Sequence, residues 1–93
     1  MIKSFRAKET EKTWRGKRSM QLPQDIQQIA RRKLRMINNA RSLNDLLVPP
    51  ANRLEALRGK RAGQHSVRIN DHWRICFHSS EGDALDVEIV DYH

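Results

Sequence analysis

The chain closes on Asp91-Tyr92-His93, a carboxylate, a phenol and an imidazole set directly after an apolar run with strand-like alternation. These are acid and base groups. An imidazole with an unperturbed pKa of about 6.5 takes or gives a proton near neutrality. Asp91 can orient it or accept a proton itself, and Tyr92 can stack on an unpaired base or donate a hydrogen bond. Arg74, in the preceding strand-like segment, adds a planar guanidinium suited to a phosphate and to the charge that builds on a pentacoordinate phosphorus. Cleaving RNA without a metal uses the ribose 2′-hydroxyl as nucleophile, and requires a base, an acid and cations around the phosphate. The basic loop from Arg58 through Gly59, Lys60, Arg61 and Ala62 to Gly63 offers three of those cations, and its glycines permit close backbone approach. Arg68 is a further phosphate-binding candidate on the same strand face as Arg74.

Plainer readings stand beside these. A polar terminus is more often frayed than reactive. Alternation puts Arg68, Arg74, Cys76, Asp86 and Glu88 on one sheet face, so Arg74 equally suits a structural ion pair with Asp86 or Glu88. Glu55 is a candidate base, or simply a solubilising carboxylate at a strand end. His65, His72, His78 and Cys76 lack metal-ligand spacing, and no Walker-type or dinucleotide-binding glycine motif occurs. Neither a cofactor nor a metal is expected.

The elements that must position these groups follow from periodicity. Residues 1–5 read as a short first strand and residues 8–15 as a polar helix carrying Trp14, broken at Gly16. After Pro23 at a helix start, Ile26, Ile29, Ala30, Leu34, Ile37 and Ala40 recur at three- and four-residue intervals. They form one apolar stripe with Arg31, Arg32 and Arg35 off it. Ser42 can cap a short helix over residues 44–47, ended by Pro49-Pro50. The period then changes to two. Residues 64–69, 73–77 and a segment holding Leu85, Val87 and Ile89 read as strands joined by Asn70-Asp71-His72 and Ser80-Glu81-Gly82-Asp83. The expected inner face is Val67, Ile69, Trp73, Ile75, Phe77, Leu85, Val87 and Ile89, covered by the helix stripe. This is an α+β class protein, read as a single domain over residues 1–93.

Charge is distributed unevenly. Residues 1–41 hold 12 Lys/Arg against 3 Asp/Glu, whereas residues 42–93 hold 6 against 8, within a net charge of +7. A basic N-terminal half accumulates polyanions by counterion release, and an acidic protein partner would use the same patch. One cysteine excludes an intrachain disulfide and suits the cytoplasm. No apolar run resembles a signal peptide or a membrane span, so a soluble protein with no membrane partner is expected.

Four segments then carry a resemblance. They are Arg53-Leu54-Glu55-Ala56-Leu57-Arg58-Gly59, Ser66-Val67-Arg68-Ile69-Asn70, Trp73-Arg74-Ile75-Cys76-Phe77 and Val87-Glu88-Ile89-Val90-Asp91-Tyr92-His93. Their order and distances resemble the HigB branch of the RelE/ParE toxin superfamily. The resemblance implies a RelE-like microbial RNase fold, a small antiparallel-rich sheet covered on one face by two to three helices. It implies a type II toxin that cleaves mRNA in the ribosomal A site. It also implies a HigA-like helix-turn-helix antitoxin, with operator DNA reached only through that antitoxin, and ribosomal RNA contacts made by the basic N-terminal half. Arg74 matches the family's phosphate-stabilising arginine, and Asp91, Tyr92 and His93 match its C-terminal catalytic residues. Glu55 and Arg58 depart from relatives that carry histidine and lysine there, which leaves the division between base and acid open. A ParE-like gyrase inhibitor without enzymatic activity and a basic RNA-binding accessory protein are the competing functions.

Overall fold

The computed structural model describes residues 1–92, so the expectation placed on His93 lies outside the described residues. Helix α1 (Lys8–Trp14) starts with Glu9 and Glu11 in its first turn and ends near Lys12, an arrangement that complements the helix dipole. Gly16, at φ 80°, turns the chain out of it. Helix α2 (Gln24–Asn39) follows Pro23 and buries Ile26, Ala30, Leu34 and Ile37, the core of the expected stripe. Between the helices, buried Ser19 organises the loop. Its hydroxyl donates to Glu9 Oε1 at 2.5 Å and accepts from the backbone N–H groups of Gln21 and Leu22.

Residues Leu43–Leu47 and Pro50–Asn52 form two 3-10 turns around a cis Val48-Pro49 bond. Ser42 makes no side-chain cap; Asp45 Oδ2 instead accepts from the Arg41 N–H at 2.8 Å. The sheet is the expected three-strand meander with one short strand added at its edge, antiparallel in the order β1 (Glu55–Ala56), β2 (Gln64–Arg68), β3 (Trp73–Ser80) and β4 (Asp83–Asp91). Residues 1–5 do not form a full strand. They lie parallel to β4 through single bridges at Ile2 with Ala84 and Phe5 with Val87.

One expectation about the core fails at β4. Cys76 pairs with Glu88 but His78 pairs with Leu85, a slip of one residue. Asp86 sits in the left-handed region at φ 52°. This is a β-bulge, with two β4 residues opposite Phe77. Strict alternation therefore breaks, and Ala84 rather than Leu85 joins Val87 and Ile89 in the core. The bulge also leaves Asp86 exposed, with its N–H donating to Ser4 Oγ at 2.8 Å. The core proper lies between the α2 stripe and Val67, Ile75, Phe77 and Val87, all within 2% of full burial. Helix α1 is fastened to β4 by the Ile89 N–H, which donates to Thr10 Oγ1 at 2.9 Å. The sheet face opposite the helices is left to carry chemistry. No helix among the described residues is long and apolar enough to cross a membrane.

Candidate active site

Arg74 is the centre of that face. It is only 8% exposed, because three fixed acceptors surround its guanidinium. Its Nε donates to Ser66 Oγ at 2.7 Å, and one terminal nitrogen donates to the Arg53 carbonyl at 2.5 Å and, longer, to the Ser66 carbonyl at 3.4 Å. Sheet register explains Ser66: β2 and β3 pair Ser66 with Cys76 and Arg68 with Arg74, so Ser66 and Arg74 are diagonal neighbours on one face. Arg53 reaches the site because its own backbone is left-handed, at φ 43°. Glu55, opposite Ser66 in β1, brings Oε1 to 3.9 Å from the same Arg74 nitrogen while its side chain stays 57% exposed.

Tyr92 closes the other side. Its ring centroid is 6.0 Å from the Arg74 guanidinium carbon, within cation–π range. Its N–H donates to the His72 carbonyl at 2.5 Å, carrying the β3–β4 ladder one step past the Trp73–Asp91 pair. Burial, then the neighbouring Cys76 thiol, pushes the Tyr92 phenol above its ordinary value. A protonated phenol donates and does not act as a base near neutrality. Cys76, fully buried beneath it, is pushed up by the same desolvation.

The other candidates divide. Arg61 belongs to this cluster, donating to Glu88 Oε1 at 3.3 Å and Gln64 Oε1 at 3.1 Å. Glu88 is thus the partner of Arg61, and the ion-pair partner of Arg74 is Glu55, in place of the expected Asp86 or Glu88. The bulge turns Asp86 away, and Arg61 already engages Glu88. Arg58 and Lys60 are exposed on the 3-10 turn Gly59–Arg61 beside the cluster. Arg68 is held in an ion pair by Asp71, whose carboxyl lies below its ordinary value because of that contact. Asp91 pairs with Trp73 and shares the parity of Val87 and Ile89, so the strand directs it towards the helix side of the sheet, away from Arg74. Among the described residues no group of three or more His, Cys, Asp or Glu is placed to hold a metal. Ser66 and the Arg53 carbonyl are the site groups that sequence reasoning missed. Only the pairing register and the turn at Arg53 assign them to Arg74.

Four antiparallel strands with two helices on one face and a locked arginine on the other define a class. The YoeB-YefM toxin-antitoxin complexes of Staphylococcus aureus share this fold, with TM-scores of 0.58 and 0.62 at 16% identity over all of this chain and 98% of theirs. The architecture is therefore the α+β RelE-like toxin fold. A family model described as the RelE-like toxin of type II toxin-antitoxin system HigB matches residues 3–93. Toxin HigB-1 of Vibrio cholerae serotype O1 is 37% identical over 70 residues, 75% of this chain and 74% of that protein. Endoribonuclease HigB of Proteus vulgaris is 34% identical over the full length of both. The chain belongs to the HigB family of RelE-like type II toxins.

Proposed function

We propose that this chain is the toxin of a type II pair and acts as a ribosome-dependent endoribonuclease, cutting mRNA in the A site by attack of a ribose 2′-hydroxyl without a metal. The observation that carries this reading is the Arg74 guanidinium. It is buried and immobilised by Ser66 and Arg53, and it lies between a carboxylate and a phenol in a chain that aligns end to end with an endoribonuclease. A fixed cation of this kind stabilises the extra charge on a pentacoordinate phosphorus more in the transition state than in the ground state.

The division of labour starts from Tyr92, whose raised phenol stays protonated near neutrality and is not the base. The 2′-hydroxyl loses its proton, its oxygen bonds to phosphorus, and the bond to the 5′-oxygen breaks, leaving a cyclic phosphate and a 5′-hydroxyl. Glu55 is the proton acceptor beside Arg74, and the Tyr92 phenol is a donor or a stacking surface. In this reading His93 supplies the remaining acid and base capacity and Asp91, which the strand turns away from Arg74, orients the imidazole without facing the phosphate, while Arg58, Lys60 and Arg61 hold flanking phosphates. Arg68 serves the same backbone once it leaves Asp71. The partner is a HigA-like helix-turn-helix antitoxin, through which alone operator DNA is reached. The type II family supports an antitoxin partner, and so do the toxin-antitoxin complexes that share the fold. The basic N-terminal half docks on ribosomal RNA, and the cytoplasm is the place of action.

Toeprinting on translating ribosomes tests the reading. Wild type should give A-site cuts; Arg74→Ala and a truncation before Asp91 should lose them. Intact mRNA with wild type, accompanied by inhibition of gyrase supercoiling, would reject it in favour of a ParE-like inhibitor.

A further inference from the structure

One terminal nitrogen of Arg74 is aimed chiefly by the Arg53 carbonyl, and that oxygen belongs to a turn with a fastening of its own. Arg53 follows the 3-10 turn Pro50–Asn52 with φ 43° and ψ 57°. Such a left-handed backbone is unfavourable for a residue with a Cβ and persists only where its surroundings impose it. Two backbone bonds close the turn, from the Asn52 N–H to the Pro49 carbonyl and from the Arg53 N–H to the Pro50 carbonyl, both at 3.0 Å. Asn52 then ties the turn to helix α2. It is 1% exposed, and its Oδ1 accepts from Lys33 Nζ at 2.5 Å. Its Nδ2 donates to the Leu46 carbonyl at 3.2 Å and lies 3.8 Å from Met36 Sδ. A line of contacts therefore runs from α2 through the Asn52 amide and the next residue's carbonyl to the guanidinium of Arg74.

As a device for stability this fastening is a poor one. Lys33 is half-buried, and burial, then the neighbouring Arg32 and Arg68, lowers its ammonium below the ordinary value. Among the described residues no carboxylate lies within ion-pair distance of it. A partly desolvated cation near two others is thus answered by a neutral amide oxygen. Two apolar side chains of similar shape would fill the same space without that cost. What they would not supply is direction. A buried amide engaged through both its oxygen and its nitrogen has one orientation, and a satisfied polar network of this kind rigidifies the backbone that carries it. Ser66, the other anchor of Arg74, is placed by strand register, whereas residues 50–53 lie outside the strands and have no register to place them.

We propose that Asn52, held by Lys33, is a positioning residue for cleavage, which fixes the left-handed turn at Arg53 and so the direction in which Arg74 meets the phosphate. This role rests on the RNA-cleaving reading above and adds to it a group that does not touch the substrate. Lys33 acts here as a strut of the fold and not as a cation for RNA.

The test uses the full chain carrying Lys33→Met, which keeps the apolar stem and removes the donor. A second variant, Lys33→Met with Asn52→Leu, removes the pair together and leaves no amide oxygen buried without its partner. Single-turnover cleavage on programmed ribosomes gives the rate at saturating toxin and the concentration for half that rate. Lys33→Met should cut more slowly by about ten- to a hundredfold, with the half-saturating concentration changed less than about threefold. The double variant should melt at or above the temperature of Lys33→Met and still cut slowly. Arginine side-chain NMR, without ribosome or RNA, follows the terminal N–H groups of Arg74, identified by their loss in Arg74→Ala. Their exchange with water should speed up about tenfold in both variants, since a restraint on the guanidinium is released. A loss confined to the half-saturating concentration would make Lys33 an RNA contact and overturn the role. Cleavage that recovers together with stability in the double variant would overturn it too, as would Arg74 signals unchanged from wild type. If wild type leaves ribosomal mRNA intact while the Arg74 signals respond as expected, the cleavage reading fails and the positioning of Arg74 by Asn52 stands.

Discussion

Replacing Ser66 with alanine removes the acceptor that holds Arg74 Nε at 2.7 Å and leaves that N–H buried without a partner. A hydrogen bond to a charged group contributes about 1.5–3 kcal/mol, and the Arg53 and Ser66 carbonyls remain on the other nitrogen. Global stability for a domain of this size is about 5–14 kcal/mol, so the variant should fold with less stability. In urea titrations the loss should be about 1.5–3 kcal/mol, with a melting temperature lower by roughly 6–24 °C. Cleavage should suffer beyond that. A guanidinium free to swing by about 1 Å loses on the order of 10²-fold in rate, seen in kcat rather than KM because the contact to the developing charge is what is displaced. Folded Ser66→Ala protein with a stability change under about 0.5 kcal/mol, smaller than a typical hydrogen-bond loss, would refute the argument. Cleavage at the wild-type rate would refute it as well.

Gly82 stands at φ 84°, and a Cβ there would meet the Arg41 carbonyl oxygen at 2.8 Å, whereas Gly59 at φ 65° faces open space. Gly59→Ala should cost only the left-handed penalty of about 1–2 kcal/mol, and Gly82→Ala measurably more by urea denaturation. The Ser19 hydrogen bond, then Lys12, holds the Glu9 carboxyl below its ordinary value against a smaller opposing effect of burial. Its stabilisation is therefore present above the ordinary value of 4.5 and lost as pH falls through the folded-state pKa. Thermal melts in Ser19→Ala should differ most from wild type at neutral pH and less in acid, where only the lost contacts to the Gln21 and Leu22 N–H groups remain. Burial raises the Cys76 thiol, so stability is unaffected below its ordinary value of 9.0 and declines as pH rises past it, where the unfolded chain ionises first. Native Cys76 should resist thiol reagents at neutral pH, and Tyr92→Ala should speed its modification if the phenol is its cover.

The long apolar stripe of α2, the meander and the placement of Arg74 on the face away from the helices are all readable from spacing, because periods of 3.6 and 2 are local properties of the chain. Local pattern also made Arg58, Lys60 and Arg61 visible as a basic loop. The same logic misplaced Leu85 and Asp86. A bulge adds one residue to a strand without changing the composition around it, and here it depends on Ser4, more than eighty residues away, accepting from the Asp86 N–H. Residues 1–5 likewise had the composition of a strand, but only two bridges to β4 form.

By itself the sequence determined which side chains could do chemistry and on which sheet face Arg74 stands, since residue type and alternation belong to the chain alone. Tertiary structure decided how Arg74 is held, by Ser66 across the register, by the Arg53 carbonyl at a left-handed turn and by Glu55 and Tyr92 on either side. It also set Lys33 of α2 against the buried Asn52. Strand register and helix packing set those distances, and both arise only when segments distant in sequence are brought together to bury a common core.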